Sequence, residues 1–352
     1  HRLLELSGIS DDVDNFNTEL LVTPIDGDII IVDEASMLDM FLMNYLLKAI
    51  YKGTKLVLVG DIDQLPSVGP GSVLKDIIES KQITTITLNQ IFRQAAKSKI
   101  ILNAHRVNKG ETFLGKEDIE EETNQDFFYI KHKSQEEILK EVISLCTGRL
   151  AKFGNYDFFQ NIQILTPTKK GLLGTKELNK ELQAYLNPNL DGRTEKTNAG
   201  AIYRKGDRIM QIKNNYDMTW DRELDDGKIE YGEGIFNGEF GTIIDIKEKD
   251  KVVEVKFDDN KTAWYEFTEL DQIEHSYAIT IHKSQGSEFD VVIMVAPASS
   301  PMLLTRNLLY TGITRAKKLL IIIGTDNVVD YMIQNVDSKK RNTGLEYKLK
   351  NT

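Results

Sequence analysis

Two apolar runs in the first third of the chain, Asp28 to Val32 and Lys55 to Val59, are each followed by acidic residues. Short runs of this kind are typical of buried parallel strands. Because parallel strands need a crossover connection, the segment between them is interpreted as a helix that covers the sheet. Its hydrophobic residues recur at helical spacing: Leu38, Phe41, Leu42, Tyr45, Leu46 and Ala49. The pattern predicts an α/β fold.

The same pattern returns later in the chain. It predicts helices around residues 138–145 and 178–186 and buried strands at residues 162–165, 291–295 and 319–323. Strands that alternate with helices indicate a second α/β unit.

Residues 205–270 interrupt this second unit with a different pattern. Short alternating runs such as 242–246 and 252–257, separated by a polar turn, are typical of β-hairpins. The segment is rich in glycine and holds both tryptophans, Trp220 and Trp264. We predict a small inserted antiparallel barrel with both tryptophans in its core.

The composition limits the kind of protein. The chain has 352 residues, 41% of them hydrophobic, which is enough for two or three domains. No apolar run approaches the roughly 18 residues that a membrane span needs. A single cysteine, Cys146, excludes an internal disulfide, and the first residues show no signal-peptide pattern, so we expect a cytoplasmic protein.

The net charge of −10 gives no general support for nucleic-acid binding. Attraction to phosphate is screened beyond roughly 10 Å, so an acidic protein can still bind DNA through a local basic groove. An assignment to nucleic acid must therefore rest on motifs.

Asp33 and Glu34 follow the first apolar run, at the end of a strand where open α/β sheets bind ligands. In a P-loop ATPase, the first acid of such a pair holds hydrated Mg²⁺ and the second orients and deprotonates the attacking water. The alternative is that both are ordinary solvated residues after a strand.

The second apolar run ends in VLVGDIDQLPSVGPG, where Gly60 permits a tight turn and Asp61 and Gln64 offer a carboxylate and an amide. Gln64 can accept from water and donate to a phosphate oxygen at once, so it is a candidate sensor of a γ-phosphate. The alternative is a glycine- and proline-rich turn that ends a strand.

The sequence DEAS followed by GDxxQLPSVGPG resembles motifs II and III of the RecD/TraA-type superfamily 1 DNA helicases. Three further motifs of that family follow in order: LNQIFRQ at residues 88–94 resembles motif IV, ITIHKSQGSEFD at 279–290 resembles motif V, and LLYTGITRAKK at 308–318 resembles motif VI. The resemblance spans roughly residues 1 to 325.

The resemblance implies two RecA-like P-loop NTPase domains, the first one truncated, with an inserted SH3-like β-barrel. The expected bounds are 1–86 for the remainder of the first domain, 87–203 with 272–352 for the second, and 204–271 for the barrel. It also implies an ATP- and Mg²⁺-dependent helicase or translocase, 5′→3′ on single-stranded DNA and at duplex junctions, with repair or recombination proteins as partners.

The resemblance also implies roles for single residues. Arg93 in motif IV and Arg315 in motif VI match arginines that reach the nucleotide from the second domain, and transition-state charge on a γ-phosphate needs such fixed cations. Within motif V, Gln285, Gly286 and Glu288 are expected near the nucleotide. The expected contacts to DNA are Thr280, His282 and Ser284.

The segment TPTKKGLLGTKELN, residues 166–179, precedes a helix whose N-terminus is a candidate phosphate site. Thr166, Thr168 and Lys169 are its candidate DNA-binding residues, and a solvated loop is the alternative. By resemblance the barrel is expected to contact a DNA strand.

One departure from the family is clear, because the chain has no Gly-Lys-Thr or Gly-Lys-Ser loop to hold the β- and γ-phosphates. The first residues, HRLLEL, resemble the end of motif Ia. We therefore expect a C-terminal part of a longer protein that hydrolyses little or no ATP alone.

Two other readings stay open at this point. One is a non-catalytic DNA-binding or regulatory module with a degenerate helicase fold. The other is a motor of different subgroup, either a 3′→5′ helicase or the helicase half of a relaxase-fused conjugation protein.

Overall fold

The computed structural model describes residues 24–88, 97–115, 125–190, 192–336, 341 and 343–352. The chain forms two compact units. Unit 1 comprises residues 1–92 and 336–352, and unit 2 comprises residues 93–335.

Unit 1 contains two parallel strands, β1 (Ile29–Val32) and β2 (Lys55–Leu58), with Ile29 opposite Lys55. They are joined by a short 3₁₀ turn, Ala35–Met37, and helix α1 (Met40–Ala49). Helix α1 begins where the Asp39 side chain accepts a hydrogen bond from the Leu42 amide at 2.7 Å. The predicted strand–helix–strand unit is confirmed.

The two strands bury one face and expose the other, which corrects the expectation of strands buried on both sides. Ile29 is 56% exposed and Ile31 is 68% exposed, while Val32 packs against Leu46 and Ala49 of α1. Because side chains alternate along a strand, a helix on one face covers every second residue. Helix α2 (Val73–Ser80) follows β2 and completes this small core through Leu74.

Unit 2 is built on a fully parallel five-stranded sheet. Its strands, in spatial order, are β14 (Ala278–Thr280), β4 (Ile162–Thr166), β15 (Phe289–Ala296), β16 (Ala316–Gly324) and β3 (Phe127–Lys131). The strands predicted at 162–165, 291–295 and 319–323 are all present, and they are almost continuously buried, as strands covered on both faces require.

Helices cover this sheet and enclose its core. They are α3 (Lys99–Lys109), α4 (Gln135–Ser144), α5 (Leu150–Gly154), α6 (Phe158–Asn161), α7 (Thr175–Leu186), α8 (Arg306–Ile313) and α9 (Asp326–Gln334). A π-helical turn, Leu145–Arg149, joins α4 to α5. Helix α10 (Leu345–Lys350) lies in unit 1. Cys146 is buried in the core of unit 2, and burial raises the pKa of its thiol.

The inserted segment is a seven-stranded antiparallel sheet. A hairpin of β5 (Glu195–Asn198) and β6 (Ala201–Arg204) precedes it. The strands of the seven-stranded sheet, in spatial order, are β13 (Ile273–His275), β7 (Arg208–Gln211), β10 (Phe240–Lys247), β11 (Val252–Phe257), β12 (Thr262–Glu266), β8 (Asn215–Glu223) and β9 (Ile229–Ile235). All seven strands contribute to one core, so the sheet must curl around it. The hairpin predicted from 242–246 and 252–257 is confirmed.

The two tryptophans differ in their relation to the barrel core. Ala263 and Tyr265 are both fully buried, so Trp264 between them lies on the outer face of the sheet, unlike its predicted place. Trp220 is partly buried and packs against the barrel core, as predicted. The alternation of side chains along β12 determines the face on which Trp264 lies. The prediction from the sequence rested only on the hydrophobicity of tryptophan.

A buried carboxylate, Asp207, joins the barrel to the parallel sheet of unit 2. Its side chain is 0% exposed. Two side-chain amides donate to it, from Gln183 of α7 at 2.7 Å and from Asn187 at the C-terminal cap of α7 at 2.8 Å. The hydroxyl of Tyr277, just before β14, and the backbone amide of Arg204 also donate to it, each at 2.8 Å. The ring of His275 in β13 contacts it at 3.1 Å. Both oxygens are therefore saturated by groups from four segments of the chain.

Within the described part of the chain, no helix combines the length and apolar composition that crossing a membrane requires.

Replacing Asp207 by alanine should lower the free energy of unfolding of unit 2 by about 3–5 kcal/mol, since several buried donors would lose their acceptor. Urea denaturation followed by tryptophan fluorescence measures this, because Trp220 and Trp264 lie in the barrel. Asp258→Ala is the matched control, because Asp258 is a half-exposed carboxylate paired with Arg208 and its loss should cost at most about 1 kcal/mol. Equal destabilisation by the two variants would contradict the role assigned to Asp207.

Candidate functional site

The residues predicted to bind the nucleotide in unit 1 follow two adjacent parallel strands. Asp33 and Glu34 come after β1, and Asp61 and Gln64 come after β2. Two backbone hydrogen bonds tie these strand ends together, Val59 N to Val32 O and Ala35 N to Val59 O, both 2.8 Å. The four predicted side chains therefore share one edge of the sheet.

Local hydrogen bonds shape this edge. The Glu34 backbone is left-handed, with φ 51°, and its amide donates to Asp33 Oδ1 at 2.8 Å. Asp61 accepts from the Asp63 amide at 2.9 Å and from Gln64 Nε2 at 3.3 Å. A left-handed conformation is uncommon for a non-glycine residue and is often found at functional positions. Asp33 and Glu34 therefore differ in backbone conformation although they are adjacent in sequence.

Gly60 allows the two strand-end loops to approach each other. A Cβ atom at this position would lie 2.9 Å from the Ser36 amide nitrogen, 3.0 Å from that of Ala35 and 2.9 Å from Leu74 Cδ2. Backbone nitrogen atoms cannot move aside as a flexible side chain can. Any larger residue at position 60 must therefore displace the loop that carries Asp33 and Glu34.

The residues predicted to bind DNA lie together in unit 2. Strands β14 and β4 pair in parallel with Thr280 opposite Thr166, so the loops after both strands emerge side by side. One loop carries Thr168 and Lys169, and the other carries His282. Topology thus assembles two segments that are more than a hundred residues apart in the sequence.

Three of the residues predicted to contact DNA are buried in this structure. Thr166 and Ser284 are both 0% exposed, and their hydroxyls donate to Leu173 O at 2.7 Å and Ile281 O at 2.8 Å. Thr280 is also buried, at 7% exposure, and caps the short helix Ile281–Ser284 through the Lys283 amide. In this structure the three hydroxyls shape the loops and do not present a surface to a strand.

Exposed groups of the same loops do reach the surface. Lys169 and Lys283 both pair with Glu274, at 3.8 Å and 3.1 Å, so one carboxylate holds two ammonium groups beside the loops. His282 is exposed, but partial removal of its ring from water lowers its pKa from the ordinary value. At neutral pH it is therefore a neutral hydrogen-bonding group. The sequence analysis gave Lys283 no DNA-binding role, although it lies inside the quoted motif V, and nothing in the sequence pointed to Glu274.

The N-terminus of α7 differs from its expected role as a phosphate site. The amides of Thr175 and Lys176 donate to the carbonyls of Thr168 and Lys169, at 3.1 Å and 3.3 Å. Gly174 makes this fold-back possible, because a Cβ there would lie 2.5 Å from Lys170 O. Two of the amides that a phosphate would need are thus already bonded.

The remaining predicted nucleotide contacts of unit 2 lie at the opposite edge of its sheet. Arg315 directly precedes β16, and its carbonyl accepts from the amide of Phe289, the first residue of β15, at 2.8 Å. Its guanidinium is 4% exposed and donates to Thr311 O at 3.2 Å and Ser287 O at 3.1 Å. Glu288 pairs with Lys317 at 3.2 Å. Gln285 and Gly286 precede this pair, and Gly286 is left-handed with φ 74°.

Arg93, the arginine predicted from motif IV, lies outside the described residues. The described residues also contain no cluster of three or more His, Cys, Asp or Glu side chains that would hold a metal ion by itself.

Three family models match consecutive parts of the chain. An AAA domain matches residues 6–129, the SH3 domain of ATP-dependent RecD-like DNA helicases matches residues 178–257, and a UvrD-like helicase C-terminal domain matches residues 275–323. The ATP-dependent RecD2 DNA helicase of Deinococcus radiodurans is 34% identical over 86% of this chain. These matches show that the chain is similar to RecD-like DNA helicases over most of its length.

A second curated relative shows the same similarity. The RecD subunit of the RecBCD enzyme from Mycolicibacterium smegmatis is 29% identical over 92% of the chain. The chain spans 37% of the length of the Deinococcus protein and 54% of the Mycolicibacterium protein. The predicted fold class, α/β with an inserted SH3-like barrel, is confirmed.

Among solved structures, the Bacteroides Pif1 helicase in complex with ADP-AlF3 and single-stranded DNA is similar to this RecD-like chain. The match has a TM-score of 0.48 and 17% identity, and covers 87% of this chain and 72% of that one.

Gly60→Ala should destabilise unit 1 by about 1–3 kcal/mol, because the new Cβ overlaps backbone atoms of the loop after β1. The measurement is thermal unfolding of the purified chain. Gly27→Ala is the matched control, because its Cβ would meet no atom closer than 3.7 Å. If both variants unfold at the same temperature, the close contact between the two loops does not constrain the site.

Proposed function

We propose that this chain is the motor part of an ATP-dependent DNA helicase that translocates 5′→3′ on single-stranded DNA. The proposal rests mainly on one observation. Asp33, Glu34, Asp61 and Gln64 follow adjacent parallel strands that are tied at their ends, and such an edge is where open α/β sheets bind ligands.

The residues at this edge suit Mg²⁺ and a triphosphate. Asp33 uses Oδ1 for the Glu34 amide, so Oδ2 can serve as an oxygen ligand to the metal. Magnesium in nucleotide sites is usually held by one or two carboxylates, with phosphate and water completing its shell, so a single acid fits. When bound, the ion would neutralise phosphate charge.

Glu34 and Gln64 have distinct roles in the proposed hydrolysis. Glu34 accepts the proton of the attacking water, and its left-handed backbone separates its direction from that of Asp33. Gln64 shares a hydrogen bond with Asp61 and is placed to exchange that partner for water or a phosphate oxygen. This exchange makes Gln64 the sensor of nucleotide state in the proposal.

Arginines of motifs IV and VI complete the proposed chemistry by stabilising charge on the transferred phosphate. Arg93 is assigned by resemblance alone. Arg315 is bound to carbonyl groups in this structure, so its delivery requires the guanidinium to leave Ser287 O. While the Arg315 guanidinium stays bonded to these carbonyls, it cannot stabilise the transferred phosphate. ATP hydrolysis would therefore stay slow between steps.

The loops after β4 and β14 form the proposed surface for single-stranded DNA. Thr168, Lys169 and His282 are its candidate contacts, and Lys283 is proposed with them because it shares Glu274 with Lys169. Thr166, Thr280 and Ser284 hold the loops. Phosphate contacts from lysine and small donors carry no base specificity, as a translocase requires.

The 5′→3′ direction follows from the likeness to RecD-type proteins and not from any single residue. Unwinding by the intact gene product of substrates with a 5′ or a 3′ single-stranded tail distinguishes this proposal from the 3′→5′ alternative.

In the gene product that contains this chain together with a phosphate-binding loop, Glu34→Gln should lower ATP hydrolysis by about 10²–10⁴-fold, since glutamine cannot take a proton. Nucleotide affinity should stay within about twofold, because the change removes no phosphate contact. Phosphate release and titration with a fluorescent ATP analogue measure the two quantities.

Asp28→Asn is the control for this prediction, because Asp28 is an exposed acid at the other end of β1. Hydrolysis that survives in Glu34→Gln would remove Glu34 from the role of base. Robust Mg²⁺-dependent turnover by this chain alone would instead show that the missing Gly-Lys-Thr or Gly-Lys-Ser loop is not needed, and would favour another mechanism.

Lys169→Ala should weaken binding of single-stranded oligonucleotides and reduce the slope of log K against log salt by about 0.7, the amount expected for one lost phosphate contact. Fluorescence anisotropy between low and moderate salt measures both effects. Lys152→Ala is the control, because Lys152 is an exposed lysine on α5. An unchanged slope in Lys169→Ala would exclude Lys169 from the interface.

A further inference from the structure

The last described residues of the chain bind to unit 1 and not to the sheet of unit 2, where they were expected. We call Arg341 and residues 343–352 the return segment. The chain enters unit 2 at Arg93 and comes back to unit 1 at Val336. Helix α10 of the return segment packs against α2. Residues 272–352 were expected in the second domain, and the part from Val336 onward groups with unit 1 in this structure.

The return segment binds the loop that follows Gln64. We call residues 67–71 the coupling loop. Arg341 Nη1 donates to Gly69 O at 2.6 Å, to Gly71 O at 2.7 Å and to Ser67 Oγ at 3.2 Å, while its Nη2 donates to Ser67 O. One planar guanidinium thus collects three carbonyls, which a point charge such as an ammonium group cannot do in the same geometry.

A fourth carbonyl of the coupling loop, that of Pro70, is bonded by helix α1 and not by Arg341. Pro70 O accepts from the amide of Met40, the first residue of α1, at 2.9 Å. Gly69 and Gly71 permit this packing, because Cβ atoms there would lie 1.9 Å from Asp39 Oδ2 and 2.3 Å from Met40 Cγ. The coupling loop is therefore fixed between α1, which follows Asp33 and Glu34, and Arg341.

A second contact anchors the return segment beside Arg341. Thr343 Oγ1 donates to Asp76 Oδ2 at 2.5 Å, and Asp76 is 4% exposed within α2. A buried carboxylate with a hydroxyl partner fixes the position of the segment along α2. The guanidinium is thus presented to the coupling loop from a defined direction.

We propose that Arg341 is a positioning residue that fixes the coupling loop and thereby ties the return of the chain from unit 2 to the nucleotide-sensing Gln64. This inference rests on the proposed function for the role of Gln64. The coupling loop joins Gln64 to α2, so any movement of the return segment acts on the same five residues. Arg341 fixes the coupling loop through four hydrogen bonds and not through packing alone.

The direct test is hydrogen–deuterium exchange on the full chain. In Arg341→Ala, the amides of Val68, Gly69, Gly71 and Ser72 should exchange faster by on the order of tenfold or more, since the loop opens more often once its carbonyls lose their bonds to a charged group. Arg341→Lys should fall between the parent and Arg341→Ala. Lys348→Ala is the matched control, because Lys348 is an exposed cation of the same segment. Unchanged exchange at residues 68–72 in both Arg341 variants would overturn the proposal.

The functional test uses the intact gene product. Arg341→Ala should reduce the stimulation of ATP turnover by single-stranded DNA by on the order of tenfold, with the KM for ATP within about twofold, because the variant disturbs coupling and not the phosphate contacts. Arg341→Lys should recover part of the stimulation. A change in KM with full DNA stimulation would show a purely structural role and contradict the inference.

Failure of the inference and failure of the proposed function give different results. If Glu34→Gln abolishes hydrolysis while both Arg341 variants behave like Lys348→Ala, only the role of Arg341 is wrong. If Glu34→Gln hydrolyses ATP normally, the assignment of the nucleotide edge is wrong, whereas the exchange measurement still decides whether Arg341 fixes the coupling loop.

Discussion

Parallel strand pairing is the constraint on which the sites of this chain depend. Parallel strands end at the same edge of a sheet, so the residues after them meet although the chain between them is long. In unit 1 this brings Asp33 beside the loop of Asp61, and in unit 2 it brings the loop of Lys169 beside that of His282. Arg315, which is proposed to reach the nucleotide, precedes β16 and so stands at the other end of the second sheet. In the proposed function, one sheet therefore separates the DNA contacts from the nucleotide contacts.

The barrel insertion must not disturb this arrangement, and Asp207 explains how it is held. The insertion leaves the sheet after α7 and returns at β14, next to the strand that carries Thr280. Asp207 accepts hydrogen bonds from Gln183 in α7, near the start of the insertion, and from Tyr277 just before β14, near its end. The two connections therefore share one buried acceptor. A buried carboxylate is costly unless it is saturated, and saturation by distant segments makes the junction specific to one arrangement. The barrel is thus fixed at the base of the proposed DNA loops.

Local patterns predicted the strands, the crossover helix and the barrel hairpin because hydrophobic period and turn residues are properties of neighbouring residues. The motif order also predicted which side chains share an edge. It did not predict that Thr166 and Ser284 point inward, since both hydroxyls bond to backbone groups that only the folded loop supplies. Trp264 was misplaced for a related reason, because its face depends on strand register. Asp207 and Arg341 carried no signal, since their partners lie far away in the sequence.

The buried state of Arg315 and the hydrogen bonds of Arg341 bear on one question raised by the proposed function, which is how ATP hydrolysis would be tied to movement. An arginine that is always free to reach a phosphate would stabilise the transition state whether or not DNA is bound. Arg315 is instead bonded to the loop of motif V, whose earlier residues end at the proposed DNA edge. The coupling loop is bonded to Arg341 mainly at its backbone carbonyls, with one further bond at the Ser67 hydroxyl. The proposed catalytic Arg315 and the proposed sensor Gln64 thus both depend on the position of backbone groups. A backbone group moves only when its whole segment moves.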